Sequence, residues 1–110
     1  MPFTYNPPAT VLSPQKNVRN IRVLYDGGPH HGEFSVARIE WNGDDVLAIR
    51  WNVNENEASD PAKISGSKVC LGEPNSRGRS TWFVIPDFFI EQLFNGGDLS
   101  QKLKQYLNEK

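Results

Sequence analysis

A mainly β domain is predicted for this chain: a small five-stranded antiparallel barrel of the SH3-like kind, or a bent sheet, with one or two C-terminal helices. Three observations carry that expectation. Short runs of β-branched and aromatic residues alternate with polar ones. Clusters of Gly, Asn, Asp and Pro separate those runs. Helical spacing of apolar residues appears only after Pro86.

Residues 1–17 contain Pro2, Pro7, Pro8 and Pro14 and show neither strand nor helix periodicity. They are expected as a flexible Pro-rich arm, with residues 18–110 forming the single domain. Val18 to Asp26 reads as the first strand, and Gly27 to Gly32 as a flexible connection. Phe34 to Val53 then reads as a hairpin folded about Asn42-Gly43-Asp44-Asp45. Asn-Gly is the strongest two-residue hairpin signal, and it would place Ile39 opposite Val46 and Ala37 opposite Ala48. That register puts Leu47, Ile49 and Trp51 on the other face, so the apolar pattern instead calls for an odd loop or a bulge. With an odd register Ala37, Ile39, Trp41, Leu47, Ile49, Trp51 and Val53 share the core face. Val36, Arg38, Glu40, Ala48, Arg50 and Asn52 then lie outside.

Asn54 to Ser67 is the longest internal loop, with one helical turn at Pro61 to Ile64 capped by Asp60. Lys68 to Leu71 reads as a fourth strand and Ser80 to Pro86 as a fifth, apolar on both sides and so covered on both. Asp87 can cap a helix over Phe88 to Phe94, which Asn95-Gly96-Gly97 ends. A second helix starts at Asp98, and its stripe of Leu99, Leu103, Tyr106 and Leu107 is expected to pack on the barrel.

The 110 residues suffice for one domain with a core that holds without metal or disulfides. A formal charge of -1 argues against a globally basic nucleic-acid binder. Cys70 is the single cysteine, and no apolar run follows the N-terminus as a signal peptide would require. A cytoplasmic, reduced location is expected.

Chemistry-bearing constellations are few. His30-His31 has no supporting ligand spacing, and adjacent residues of an extended segment point apart. Cys70 reads as a packing residue, the Gly27-Gly28 pair is not followed by a helix start, and the carboxylate pairs fall in turns. No catalytic residue, metal ligand or cofactor is assigned. The arginines stand out more. In the odd register Arg22, Arg38 and Arg50 share one sheet face, where like charges destabilise unless neutralised by Glu40 and Asp26 or by an external anion. Arg77 and Arg79 flank Gly78, and Trp41, Trp51 and Trp82 come close in the implied barrel, a combination suited to stacking and anion binding.

The segments Ile49-Arg50-Trp51-Asn52, Ser76-Arg77-Gly78 and Thr81-Trp82-Phe83-Val84-Ile85-Pro86 resemble those of a group of small uncharacterised bacterial proteins with RWN, SRG and TWF segments. The resemblance brings no activity. It implies that Arg50, Asn52, Ser76, Arg77, Gly78 and Trp82 converge at one end of the sheet. The candidate binding set is therefore Arg22, Arg38, Arg50, Asn52, Ser76, Arg77, Arg79 and Trp82. The expected function is a non-enzymatic protein- or peptide-binding module using the arginine face and the 73–79 loop. Nucleic-acid binding by the same face is the alternative, and a small metal-dependent or cysteine enzyme the third. A monomer, or a weak homodimer through the C-terminal helix, is expected.

Overall fold

Asn42 and Gly43 both stand at positive φ, +52° and +87°, in the computed structural model of the chain, which describes residues 3–13 and 17–110. Two central residues in that conformation make the tight turn whose twist suits a hairpin. Strand β2 (Phe34–Trp41) therefore returns at once into β3 (Asp44–Trp51), with Trp41 opposite Asp44, Ile39 opposite Val46 and Ala37 opposite Ala48. The odd loop expected from the apolar pattern is not formed. Both faces of β3 carry apolar residues, and the inner face takes the small ones, Ala37 and Ala48, over which other segments can pack closely.

Strand β1 (Val18–Asp26) pairs antiparallel with β2, but its register slips twice, between Arg19 and Arg22 and between Val23 and Tyr25. The first slip coincides with Asn20 at φ +50°, so an extra residue is accommodated there as a bulge. Two short strands, β4 (Asn75–Ser76) and β5 (Arg79–Ser80), form a separate ribbon, and β6 (Phe83–Ile85) joins the free edge of β3. The main sheet thus has the order β1-β2-β3-β6. Among the described residues it does not close into a barrel.

The expected strand at Lys68 to Leu71 reduces to one bridge between Cys70 and Tyr5. Its donors go to separate partners: Lys68 and Cys70 donate to the Ala62 and Thr4 carbonyls at 3.0 and 2.7 Å, while Leu71, with Gly72 beyond it, donates to the Glu57 carboxylate at 2.6 and 2.9 Å. The expected fifth strand is divided between β5 and β6, because Arg79 and Ser80 pair across the ribbon turn while Phe83–Ile85 pairs with β3. The turn at Pro61–Ile64, helix α1, forms with Asp60 accepting from the Ala62 N–H as its cap.

Residues 3–13, expected as part of a flexible arm, instead pack on the domain; Pro2 and Pro14 lie outside the described residues. Val11 is buried with Val18, Ala37, Ile39, Ala48 and Trp82 in the core cluster, and the Trp82 indole N–H donates to the Val11 carbonyl at 2.8 Å. A buried apolar residue and a satisfied indole together favour the docked arm over a solvated one.

Tyr5 adds a polar tie by donating its hydroxyl to Asp26 at 2.5 Å. Burial, then the Asp26 hydrogen bond and charge, push the Tyr5 phenol up to about 12. Burial works against the Asp26 carboxylate, but hydrogen bonds from Tyr5, the Gly28 backbone, Ser35 and Asn52 outweigh it and hold the group below its ordinary value. The Tyr5 contribution to stability is thus fully present below pH 10 and is lost as the pH rises through about 12. Absorbance titration of the phenols should show one late-titrating tyrosine. Tyr5→Phe should remove it and flatten the alkaline limb of the stability curve.

Helices α2 (Asp87–Phe94) and α3 (Asp98–Asn108) follow, joined at Gly96, whose φ of +72° ends the first as the sequence indicates. They pack on each other through Ile90, Leu93, Leu99 and Leu103, which are half-buried, and Ser100 donates to the Leu93 carbonyl at 3.2 Å. The stripe does not pack on the sheet. Phe88 and Phe94 are 69% and 83% exposed, and Tyr106 and Leu107 also face solvent. The radius of gyration, 15.5 Å, exceeds the roughly 13 Å of a compact 110-residue domain accordingly.

Candidate functional site: the aromatic outer face of the sheet

The two-residue turn fixes which side chains leave the core. On the outer face Tyr25, Val36, Ile49 and Phe83 lie in register across all four strands, and Phe34 stands opposite Trp51 in the next row. These side chains touch. The Tyr25 and Phe34 rings are 5.0 Å apart, and Phe34 meets Trp51 at 6.3 Å with planes 82° apart. Both are favourable aromatic geometries. Trp51 nevertheless remains 50% exposed and Phe83 60% exposed. With aromatic side chains of about 150–250 Å² each, the patch offers roughly 500 Å² of apolar surface, at the upper end for a monomer.

Beside Trp51 the patch deepens into a cavity of about 360 Å³, lined by Phe34, Ile49, Arg50, Trp51, Glu73, Pro74 and Phe83. Its Glu73 wall is held by a pair of backbone hydrogen bonds, Trp51 N–H to the Glu73 carbonyl at 2.7 Å and the reverse at 3.0 Å. A second depression on the other side of Trp51 is lined by His31, Glu55 and Glu73, with His31 and Glu55 paired at 2.8 Å. The Trp51 end of the face is thus acidic. The opposite end holds Arg22, Arg38, Leu47 and Ile85 in one row, then Arg19, Glu40 and Asp45.

The arginine face expected from the odd register forms only in part: Arg22 and Arg38 stand opposite each other on the outer face, without Arg50. Arg50 lies on the inner face and is 3% exposed. Its guanidinium donates to the carbonyls of Pro74, Thr81 and Leu71, tying three loop segments together under the sheet, while Nε has no partner. Burial pulls the Arg50 guanidinium down to about 10, against the opposing pull of Glu57, so it remains charged at neutral pH. Glu57, also buried, accepts from the N–H groups of Asn54, Leu71 and Gly72 and from Lys63 at 3.1 Å. Burial opposes its charge, and those hydrogen bonds outweigh burial and lower its pKa.

The remaining candidate residues are placed apart from one another. Asn52 is buried, donating to the Gly28 carbonyl at 3.0 Å and to Asp26 at 3.1 Å and accepting from Ser35 at 2.7 Å. Trp82 is in the core, on the opposite side of the sheet from Trp51, while Trp41 packs against the edge of that core. Arg38 is exposed but paired with Asp45, Nε to Oδ1 at 2.7 Å, and that hydrogen bond raises its pKa. It stands opposite Arg22 rather than Arg50. Ser76, Arg77 and Arg79 are exposed at the β4–β5 turn, where Arg77 takes φ +52°. Arg50 and Trp82 lie near the base of this ribbon, but both are interior, so the implied convergence is not a surface. Cys70 is buried, and burial pushes its thiol up. Among the described residues no cluster of His, Cys, Asp and Glu could hold a metal ion. Among the described residues no helix is long and apolar enough to cross a membrane.

The exposed set Tyr25, Phe34, Ile49, Trp51, Glu73 and Phe83 escapes the sequence reading. The signal for it is present in Asn42-Gly43, whose even register puts Ile49 and Trp51 outside. Compared with known proteins, the chain matches no family, no curated protein and no solved structure.

Proposed function

We propose that the protein is a non-enzymatic module that binds a segment of another protein on the outer sheet face around Trp51. The observation that carries this reading is the aromatic row left open to solvent beside an acidic rim. Desolvating Trp51, Phe34 and Phe83 supplies the binding energy, and Glu73 and Glu55 complement a segment carrying apolar and basic side chains. The buried ionisable groups Arg50 and Glu57, and the exposed Asp26, are engaged in internal hydrogen bonds, a structural rather than a catalytic use. Stacked aromatics also suit nucleobases, but carboxylates at the rim oppose a phosphate backbone. A random peptide library panned on the protein and counter-selected on Trp51→Ala should enrich apolar-basic sequences, with affinity lost at least about tenfold in the variant. Absence of any Trp51-dependent sequence would overturn the reading. Oligonucleotide binding that falls steeply with salt would replace it with the nucleic-acid one.

The helix pair supports a second contact, with another copy of this chain. Phe88, Phe94, Tyr106 and Leu107 leave on the order of 500 Å² of apolar surface open per copy, against about 800 Å² per partner in a standard stable interface. A weak dimer follows. Helix α2 carries only acidic charges, Asp87 and Glu91, while α3 carries Lys104 and a Lys102 paired within the helix to Asp98 at 3.1 Å, so a twofold axis that lays α2 on the partner's α3 brings Lys104 to acidic groups. Sedimentation should show a concentration-dependent dimer that Phe94→Glu abolishes. A monomer up to about 1 mM would exclude it.

A further inference from the structure

We infer that the cavity beside Trp51 receives an alkylammonium side chain, a lysine or its N-methylated form, from the docked segment. This rests on the proposed peptide-binding role of the same face. The geometry comes first. Phe34 and Trp51 stand 82° apart with centroids 6.3 Å from each other, and Phe83 completes a third side of the 360 Å³ space. Perpendicular rings form a corner that a rounded ammonium group can contact on more than one side. A flat guanidinium stacks better between parallel planes.

Charge gives the second argument. Glu73 is fixed next to the indole by its paired backbone bonds to Trp51, yet among the described residues its carboxylate makes no hydrogen bond and no ion pair. A purely apolar occupant would strip water from that carboxylate without replacing it, which is unfavourable. An ammonium satisfies it and is also attracted to the ring faces. Arg50 also lines the cavity, but it is 3% exposed and its guanidinium is engaged by the carbonyls of Pro74, Thr81 and Leu71, so it does not neutralise Glu73. An anionic occupant would face the Glu73 carboxylate.

Choline and its neutral isostere 3,3-dimethylbutan-1-ol separate charge from shape. Followed by the NMR shift of the Trp51 indole N–H in the full chain, choline should bind about five- to tenfold more tightly than the alcohol. Glu73→Gln, at an exposed position, should remove most of that preference while leaving the alcohol unchanged. Trp51→Phe, followed by saturation transfer to the choline methyl protons, should retain part of the choline binding, and Phe83→Ala should weaken it. Equal binding of the two probes, an unaltered ratio in Glu73→Gln, or no shift with either probe at high millimolar concentration would each overturn the inference. Selected peptides that depend on Trp51 but lack lysine would also overturn it, while leaving the peptide-binding role intact.

Discussion

Arg50→Ala is expected to destabilise the protein by about 3–5 kcal/mol, a large share of the total for a domain of this size. The guanidinium is the only donor given to the carbonyls of Pro74 and Thr81 by a side chain, and it shares the Leu71 carbonyl with the Ser80 hydroxyl. Its removal takes the side-chain donor from the Thr81 carbonyl, leaves the Pro74 carbonyl with only the Thr81 N–H and the Leu71 carbonyl with only the Ser80 hydroxyl, and opens a void beneath β3. Arg50→Lys should fall between, since one ammonium cannot span three carbonyls presented from separate segments. Urea unfolding followed by the fluorescence of the buried Trp82 would measure this, as a lower midpoint at unchanged slope. A variant as stable as the parent would mean that the loop does not depend on the guanidinium.

Gly72→Ala should be comparably severe, roughly 4 kcal/mol or more, and should shift most of the protein out of the soluble folded fraction. Gly72 has φ +68°, and a Cβ there would overlap the Trp51 carbonyl oxygen and lie 2.9 Å from the Asn52 carbonyl oxygen. Two of the atoms it meets are backbone, and the third is Nη2 of the buried Arg50 guanidinium, at 2.5 Å. Gly78→Ala is the internal control, because its φ is also positive but its Cβ would meet nothing within 4 Å. The control should lose only the cost of the backbone conformation, about 1 kcal/mol. Circular dichroism melts of the two variants side by side would decide the point.

Local signals made part of this structure legible in advance. The Asp60-Pro61 helix start and the Asn95-Gly96 stop follow from capping and turn chemistry that acts over a few residues, and the first strand from local alternation, whereas the helix begun at Asp98 has Gly97 at its cap and no side-chain cap bond. The register of the hairpin was equally local in Asn42-Gly43, but global reasoning overrode it. Assigning Leu47, Ile49 and Trp51 to the core assumes that a small domain buries its larger apolar residues and leaves arginine outside. Here the assumption fails twice. Trp51 stands in solvent, and Arg50, its neighbour, is sealed by three carbonyls contributed from 21 to 31 positions away. No local pattern encodes those carbonyls, nor the long-range contact of Val11 with Trp82, and so neither the buried cation nor the docked arm could be read from the sequence. The misplaced strand at Lys68 to Leu71 has the same origin, since Ala62, Thr4 and Glu57 accept its backbone donors from outside the segment.

The two slips of β1 bear on how another chain can approach. An open sheet leaves two rims of backbone groups that invite further strands. One rim is β1, which Asn20 and the second irregularity interrupt so that only short stretches remain straight; the other is β6, three residues long. Neither can template an extended ladder, which limits sheet-to-sheet aggregation of the protein despite its aromatic surface. It also disfavours recognition by strand addition. A partner is met by rings rather than by backbone, so its specificity rests on its side chains.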